Sequence, residues 1–187
     1  MLDTLAGGGG LITIPAFLFA GMPPAVALAT NKCQAFAGTL TASLKLLQSG
    51  HLNLKQLWPF ALIAFVSSLV GAYVLSQSAG SDWLEWAVPL LLLAASAYFG
   101  LVRLPTDRPE RALQFPLLGI VGIMAVGFYD GFFGPGTGSL FALLLIAVMG
   151  LALRDATIHA KLFNAMTNLA AFCLFVWSDL VVWSAVA

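Results

Sequence analysis

Charge is scarce in this chain. Its eight Lys and Arg residues and eight Asp and Glu residues make up 9% of 187 residues, whereas soluble domains carry about 25% charged residues. This shortage excludes an ordinary soluble enzyme, a disordered chain and a nucleic-acid binder, which needs a basic surface. The formal net charge is zero, so there is no polybasic or acidic tail to explain. With 60% hydrophobic residues, the composition is that of an integral membrane protein built mostly of spanning segments.

Cysteine is also scarce, and the residue patterns of catalysis and metal binding are missing. The two cysteines, Cys33 and Cys173, lie inside apolar stretches, and two such residues define neither a disulfide framework nor a metal site. The glycine-rich run at residues 134–138 lacks the Gly-Lys-Ser/Thr ending of a phosphate-binding loop. No Ser/His/Asp or Cys/His arrangement has a soluble scaffold on which to form. The sequence therefore predicts no enzyme, no metal and no cofactor.

Long apolar runs, by contrast, are abundant. A spanning helix needs about 20 mostly apolar residues, and the stretches that meet this length are residues 24–48, 58–77, 84–102, 116–133 and 156–178. Two shorter apolar arms, residues 11–20 and 139–151, follow glycine-rich breaks and fit half-helices or re-entrant segments at least as well as full spans. Continuous apolar runs do not alternate as barrel strands do. We therefore predict an all-α, multi-pass helical bundle.

The connections between these runs orient the bundle. Loops that carry Lys and Arg stay on the cytoplasmic side of a membrane. Residues 49–57 and 103–114 carry such residues, whereas residues 78–83 hold an aspartate and no Lys or Arg. We therefore expect a helical hairpin between them, with both outer ends facing the cytoplasm, in the cytoplasmic membrane.

The chain also matches itself. Asp3 is followed by a run of glycines, an apolar arm and Lys32, and Asp130 is followed by glycines, an apolar arm and Lys161. The interval between the two aspartates is nearly the same as the interval between the two lysines, so the arms that join each acid to its lysine are almost equal in length. Because the same features occur twice in the same order, we predict two related halves, residues 1–102 and 116–187. A cytoplasmic loop, residues 103–115, joins them.

The relative orientation of the halves depends on the short arms. If residues 11–20 cross the membrane, five spans separate the two aspartates and the second half is inverted relative to the first. If neither arm crosses, the parity changes. Arg154, which follows the second arm, favours a cytoplasmic turn at that point and hence inversion.

Paired glycine breaks are typical of transporters. Glycine and proline break a helix in lipid, and the freed backbone groups are tolerated only where protein or water covers them. A helix that begins at such a break directs its N–H groups and its positive dipole end at the break. Broken segments in both halves of a membrane protein point to a substrate site near the midplane. With a lysine about one helix later in each half, the pattern predicts a centre that attracts anions.

At these residues the chain resembles the TauE/SafE family of membrane transporters, also described as sulfite exporters. The first block that carries the resemblance has Ala-Gly-Gly-Gly-Gly-Leu-Ile at 6–12 and Ala-Thr-Asn-Lys at 29–32. The second has Gly-Phe-Tyr-Asp-Gly-Phe-Phe-Gly-Pro-Gly-Thr-Gly-Ser at 127–139 and His-Ala-Lys-Leu-Phe-Asn at 159–164, and it is similar to the YfcA-like branch. The resemblance extends over essentially the whole chain. It implies transport of sulfite, sulfonates or related organosulfur anions.

Against this family the chain is short. Members begin with a helix that leads into the Asp-containing glycine segment, whereas Asp3 follows Met1 almost directly. Members also continue with a further hairpin after the second lysine helix. Residues 178–183 match the connection before that hairpin, and the sequence ends at Ala187. We therefore expect a chain truncated at both ends.

The candidate site draws on both halves. We expect the anion to be held at the two glycine breaks and at the polar positions that follow them: Gly8, Gly9, Gly10, Thr30, Asn31, Lys32, Gly136, Thr137, Gly138, Lys161, Asn164 and Asn168. Proton coupling is assigned to Asp3, Asp130 and His159, because these groups can take up and release a proton. A structural role stays open for each set: the lysines can snorkel to an interface, the acids can neutralise the lysines, and the amides can hold helices together.

The sequence therefore predicts a secondary transporter that moves a small anion across the cytoplasmic membrane, with proton coupling left open. Its expected partners are the anion and the lipid bilayer, not nucleic acid, and assembly into a homo-oligomer is left open. The alternative is a membrane protein that does not transport, such as an interaction or assembly partner or an inactive transporter fragment.

Overall fold

The fold is helical. The computed structural model describes residues 9–50, 54–101 and 117–186, apart from the side chain of Phe99. Within these residues the secondary structure consists of α1 (Gly10–Phe19), α2 (Pro24–Gln48), α3 (Leu54–Gln77), α4 (Trp83–Leu101), α5 (Leu117–Phe132), α6 (Thr137–Ala147), α7 (Leu153–Trp177) and a short 3-10 helix (Trp183–Ala185). The predicted all-α class is confirmed. Asp3, Gly8 and the loop at residues 103–115 lie outside the described residues.

Two helices, α3 and α7, begin about one turn earlier than the apolar pattern predicts. Helix α2 has the predicted bounds, but α3 begins at Leu54 rather than 58, and α7 begins at Leu153 rather than 156. Polar residues such as Lys55 are good helix formers, and Asp155 lies in the first turn of α7, where the helix dipole favours an acid. A prediction that counts apolar residues leaves Lys55 and Asp155 out of the two helices. The early start puts Lys161 eight residues into α7, matching Lys32 in α2.

Helices α1 and α6 are short, with 10 and 11 residues, well below the roughly 20 that span a bilayer. Helix α6 begins after two glycines in the left-handed region, Gly134 at φ +96° and Gly136 at φ +79°, which side chains rarely tolerate. Their lengths are those of the predicted half-helices. Their re-entrant course in a membrane stays a prediction.

Buried apolar side chains form two clusters that occupy different levels along the long helices. The first cluster contains Leu57, Ala64, Ile123, Phe141, Ala160 and Phe163 among others, and the second contains Ile14, Leu28, Leu84, Phe133, Ala171 and Phe175 among others. Along α7, buried Asn164, Thr167 and Asn168 lie between its residues of the first cluster and those of the second. The buried polar groups therefore form a layer midway along the bundle.

Cluster membership also gives the helix directions. The start of α2, at Leu28, packs in the second cluster with the end of α7, and the end of α2, at Leu47, packs against the first cluster with the start of α7. Helices α2 and α7 are therefore antiparallel. Residues of α1 belong to the second cluster and residues of α6 to the first, so these short helices lead to opposite ends.

Helices α3 and α5 pack closely because glycines line their contact. A Cβ on Gly71 of α3 would overlap the carbonyl oxygen of Phe128, and a Cβ on Gly131 of α5 would overlap that of Ser68. Small residues at such contacts let helix backbones approach closely, which favours association of helices in membranes. This contact holds the end of α5, which carries Asp130, against the rest of the bundle.

The outer surface is apolar. Large hydrophobic side chains are exposed along α3, α4 and α5, among them Leu62, Val66, Val70, Leu90, Leu93, Val121 and Met124. Extended exposed patches of this kind mark contact with a membrane or another protein. By length and composition, two of the described helices could cross a membrane, Leu54–Gln77 and Leu153–Trp177. Helix α2 is as long as α7, but polar residues such as Asn31 and Lys32 lower its hydropathy.

Candidate functional site

A buried ion pair lies at the centre of the polar layer. Lys32 of α2 donates from Nζ to Oδ1 of Asp130 on α5 at 2.5 Å. Both side chains are inside the protein, with 3% and 1% of their surface exposed. A buried charge is strongly unfavourable without a partner, and each of these residues supplies the other's counter-charge. The structure thus brings together two residues that the sequence pattern assigns to different halves.

The helix break after α5 positions Asp130. The hydroxyl of Thr137, at the start of α6, lies 2.5 Å from Asp130 Oδ1 and 2.6 Å from the carbonyl oxygen of Gly134. A Cβ on Gly134 would lie 2.5 Å from Nζ of Lys32, so a glycine at this position leaves room for the ammonium group. Oδ1 of Asp130 is therefore occupied by two donors. Oδ2 is buried and has no hydrogen-bond partner among the described residues.

Asn168 of α7 extends the ion pair into a network. Its Oδ1 accepts a hydrogen bond from Lys32 Nζ at 3.1 Å. Its Nδ2 donates to Asn164 Oδ1 at 3.3 Å and to Thr39 Oγ1 at 3.4 Å. This orientation places the amide oxygen toward the cation and the amide hydrogens toward two acceptors. Asn164 and Asn168, predicted to share a face of one helix, therefore join the site together.

The start of α1 completes the site. Thr13 Oγ1 donates to Asn31 Oδ1 at 2.5 Å. A Cβ on Gly10 would lie 3.0 Å from Asn31 Nδ2 and 3.4 Å from Cγ of Pro135. The first residue of α1 is therefore close to the break that precedes α6. The two glycine-rich breaks, far apart in sequence, meet beside the ion pair.

These groups surround a small cavity of about 20 Å³. Its polar lining comes from three helices, α2, α5 and α7, namely Asn31, Lys32, Thr39, Asp130, Asn164 and Asn168. One water molecule needs about 10–15 Å³ measured in this way, so the cavity has room for a single water. A multi-atom anion does not fit in a cavity of this size.

Several predicted site residues lie elsewhere. Lys161 and His159 are on α7 but do not line this cavity; the Lys161 carbonyl accepts a hydrogen bond from Ser43 at 3.0 Å. Thr30 is buried, and its hydroxyl accepts a hydrogen bond from the backbone of Val182 at 3.2 Å. Gly136 precedes α6 and Gly138 lies in its first turn, while Gly9 directly precedes α1. The roles assigned to these residues stay predictions.

Sequence reasoning missed Thr39 and Thr13. Thr39 lies two helical turns after Lys32, which puts both on one face of a helix, and it precedes Asn168 by the same interval that separates the two lysines. Extending the internal match by two turns would have found it. Thr13 lies one turn into an otherwise apolar arm and carries no comparable signal.

Comparison with known proteins identifies the family of the chain. The family model described as Sulfite exporter TauE/SafE matches residues 1–187. The chain belongs to the TauE/SafE family. It is 43% identical over 183 residues to a "Probable membrane transporter protein" of Haemophilus influenzae, a match that covers 97% of this chain and 71% of that protein. It is 41% identical over 185 residues to the "Probable membrane transporter protein YfcA" of Escherichia coli strain K12, covering 98% of this chain and 68% of the relative.

A third relative, the "Probable membrane transporter protein ORF9" of a Sinorhizobium species, is 40% identical over 183 residues, covering 97% of this chain and 70% of the relative. No solved structure matches the chain. Membership of the TauE/SafE family confirms the resemblance inferred from the glycine and lysine blocks. Together with the apolar helices, it establishes that the chain is a membrane protein of a transporter family.

Proposed function

We propose that this protein is a secondary transporter that moves a small anion across the cytoplasmic membrane, and that the anion binds at Lys32 in the central cavity. The observation that carries the proposal is the position of this lysine. It is buried midway along the bundle, it lines a polar cavity, and it lies where two helix starts meet.

The cost of burial supports a functional role for Lys32. A lysine at the centre of a membrane helix costs about 2.5–3.5 kcal/mol on insertion scales, and such residues mark substrate or ion pathways. Lys32 lies eight residues into a 25-residue helix, and the cavity around it is lined by amides and a hydroxyl that can bind an oxoanion. Each of those groups is neutral, so the lysine supplies the positive charge that the anion requires.

The relation between the halves supports alternating access. Helices α2 and α7 both contain 25 residues. The same number of residues separates their first residues, their last residues, and Lys32 from Lys161. Their antiparallel course, and the opposite directions of α1 and α6, are what an inverted repeat requires. In such folds one repeat rocks against the other around a fixed site. We propose that Lys161 occupies the equivalent position in the second repeat and contributes to the anion path when the bundle opens.

The proposed substrates are sulfite, sulfonates and related organosulfur anions. This choice rests on the family description, which names sulfite export. The site itself supports a negative charge on the substrate, since Lys32 lines it and the rest of its polar lining, apart from Asp130, consists of neutral amide and hydroxyl groups. We propose that the anion replaces Asp130 as the partner of Lys32.

The experiment that tests this site separates binding from simple neutralisation. Replacing Lys32 alone leaves the buried carboxylate of Asp130 without its counter-charge, which costs about 3–5 kcal/mol, so that a loss of function cannot be told from a loss of folding. The double variant Lys32→Met/Asp130→Asn removes both charges and keeps the size of both side chains. We expect the double variant in proteoliposomes to retain a folded bundle but to lose sulfite and methanesulfonate flux.

The matched control is Lys45→Gln, which removes an exposed lysine near the end of the same helix and should leave flux unchanged. If the double variant transports as well as the wild type, Lys32 serves only to neutralise Asp130 and the proposed site is wrong. If the purified protein shows no anion flux but forms a stable complex with another membrane protein, the assembly role becomes the better assignment.

A further inference from the structure

The two oxygens of Asp130 have different surroundings. Oδ1 is held by the ammonium group of Lys32 and the hydroxyl of Thr137, both at 2.5 Å. Oδ2 is buried and has no hydrogen-bond partner among the described residues. A buried carboxylate oxygen without a donor is unfavourable, and a cavity with room for one water lies beside this carboxylate. The arrangement leaves one defined atom that can accept a proton.

The charges that face the cavity balance. Lys32 and Asp130 are the two charged side chains among its described lining residues. Tyr129, which precedes Asp130, is a neutral phenol whose hydroxyl donates to the carbonyl oxygen of Pro135 at 2.7 Å. The other groups that neighbouring helices bring to this part of α5 do not carry charge: Gly10 of α1, Ser68 and Ala72 of α3, Thr137 of α6 and Asn168 of α7.

We infer that a monovalent anion enters this site together with one proton, which binds to Oδ2 of Asp130. The inference rests on the proposed function. An anion that takes the place of Asp130 on Lys32 leaves two negative charges against one positive charge, and a buried net charge is strongly disfavoured. A proton on Oδ2 restores neutrality. The proton comes from water on the side to which the cavity opens and returns to water on the other side, when Asp130 pairs with Lys32 again.

This charge balance defines the substrate class and the coupling. A singly charged anion, such as hydrogensulfite or a sulfonate, is matched by one lysine and one protonated acid, whereas a doubly charged anion leaves a net negative charge. Transport of the monoanion with one proton moves no net charge. Thr137 is a positioning residue in this scheme, because its contact with Oδ1 leaves Oδ2 as the oxygen that faces no donor.

The test uses methanesulfonate, which stays a monoanion over the working pH range, so that any effect of pH reports on the protein. Proteoliposomes that contain the full chain are loaded with a pH-sensitive dye, and the membrane potential is clamped with valinomycin and potassium. We expect accumulation of methanesulfonate to rise about tenfold for each unit of pH difference, to acidify the lumen, and to be insensitive to the clamped potential.

In Asp130→Asn we expect the remaining uptake to be independent of the pH difference and to cause no acidification, whereas Asp130→Glu restores the coupling. The matched control, Asp82→Asn, removes an exposed carboxylate in the loop between α3 and α4, and uptake in this variant should stay coupled to the pH difference. Three results would each overturn the inference. The first is wild-type uptake that follows the clamped potential, and the second is coupling that survives in Asp130→Asn. The third is an absence of methanesulfonate uptake in protein that moves doubly charged sulfite. None of these results bears on the role of Lys32, which the double variant tests separately.

Discussion

Gly134 is the residue at which the helix break and the ion pair meet. It has φ +96°, and a Cβ at this position would lie 2.5 Å from both Cε and Nζ of Lys32. We expect Gly134→Ala to lower the stability of the protein by about 1–3 kcal/mol, since both the backbone conformation and the packing oppose a side chain. Displacement of the ammonium group should also reduce anion flux. Thermal unfolding in detergent and flux in proteoliposomes measure the two effects.

Gly38 provides the control for this substitution. It lies in α2 six residues after Lys32, and a Cβ there would meet nothing within 4 Å. Alanine is a better helix former than glycine by about 0.5–1 kcal/mol, so Gly38→Ala should keep or raise stability and leave flux intact. Equal behaviour of the two variants would mean that the space at Gly134 is not needed by Lys32.

At the scale of helices, apolar runs and glycine breaks predicted most of the elements, but not their polar ends. Helix α2 has the predicted bounds, whereas α3 and α7 include a charged first turn that a hydropathy criterion excludes. The two short helices were predicted from the glycines before them. Their lengths fit, while their course through a membrane depends on neighbouring helices that no local pattern describes.

The sequence pattern predicts which residues belong to the site more readily than it predicts which of them contact each other. The sequence pattern offers two acids and two lysines, and spacing along the chain does not decide which acid meets which lysine. Lys32 pairs with Asp130, 98 residues away, because α5 and α2 both reach the same polar layer. Asn168 also bonds to Lys32. Helical periodicity predicts that it shares a face of α7 with Asn164, but not that this face meets Lys32. Lys161 shares that face by spacing, yet it does not line the cavity.

The close contact between α3 and α5 should depend on Gly131, and a second glycine on α5 provides the matched control. A Cβ on Gly131 would overlap the backbone of Ser68 and approach the backbone nitrogen of Ala72. The atoms nearest to a Cβ on Gly122, on the same helix, would belong to the side chain of Leu144. Because a backbone cannot move aside as a leucine can, we expect Gly131→Ala to destabilise the protein by about 1–3 kcal/mol and Gly122→Ala by clearly less.

Thermal unfolding of the two alanine variants in the same detergent measures this difference. Gly131 is adjacent to Asp130, so flux should fall together with stability in Gly131→Ala. If Gly122→Ala is the more destabilised variant, the close approach of α3 and α5 is not what fixes the end of α5.

At the scale of the whole molecule, positive charge near the helix ends marks one end of the described bundle, an end that also carries Asp155. Lys45, Lys55 and Arg154 lie beside residues of the first apolar cluster, whereas Asp82 and Asp179 lie beside residues of the second. Since positive residues collect at the cytoplasmic face, we propose that the first cluster faces the cytoplasm. Helix α3 then crosses the membrane from the cytoplasmic side, and the ion pair lies between the two faces.

Cysteine labelling tests this topology in a variant that lacks both native cysteines, Cys33→Ala/Cys173→Ala. Ser49 and Ala79 are exposed and lie in the turns before and after α3. With a membrane-impermeant maleimide, Ser49→Cys should react only in inside-out vesicles and Ala79→Cys only in right-side-out vesicles. Reaction of both from one side would mean that α3 does not cross the membrane. The reverse pattern would keep the crossing but exchange the faces, so that the half-helix α6, rather than α1, would lead from the ion pair to the outside.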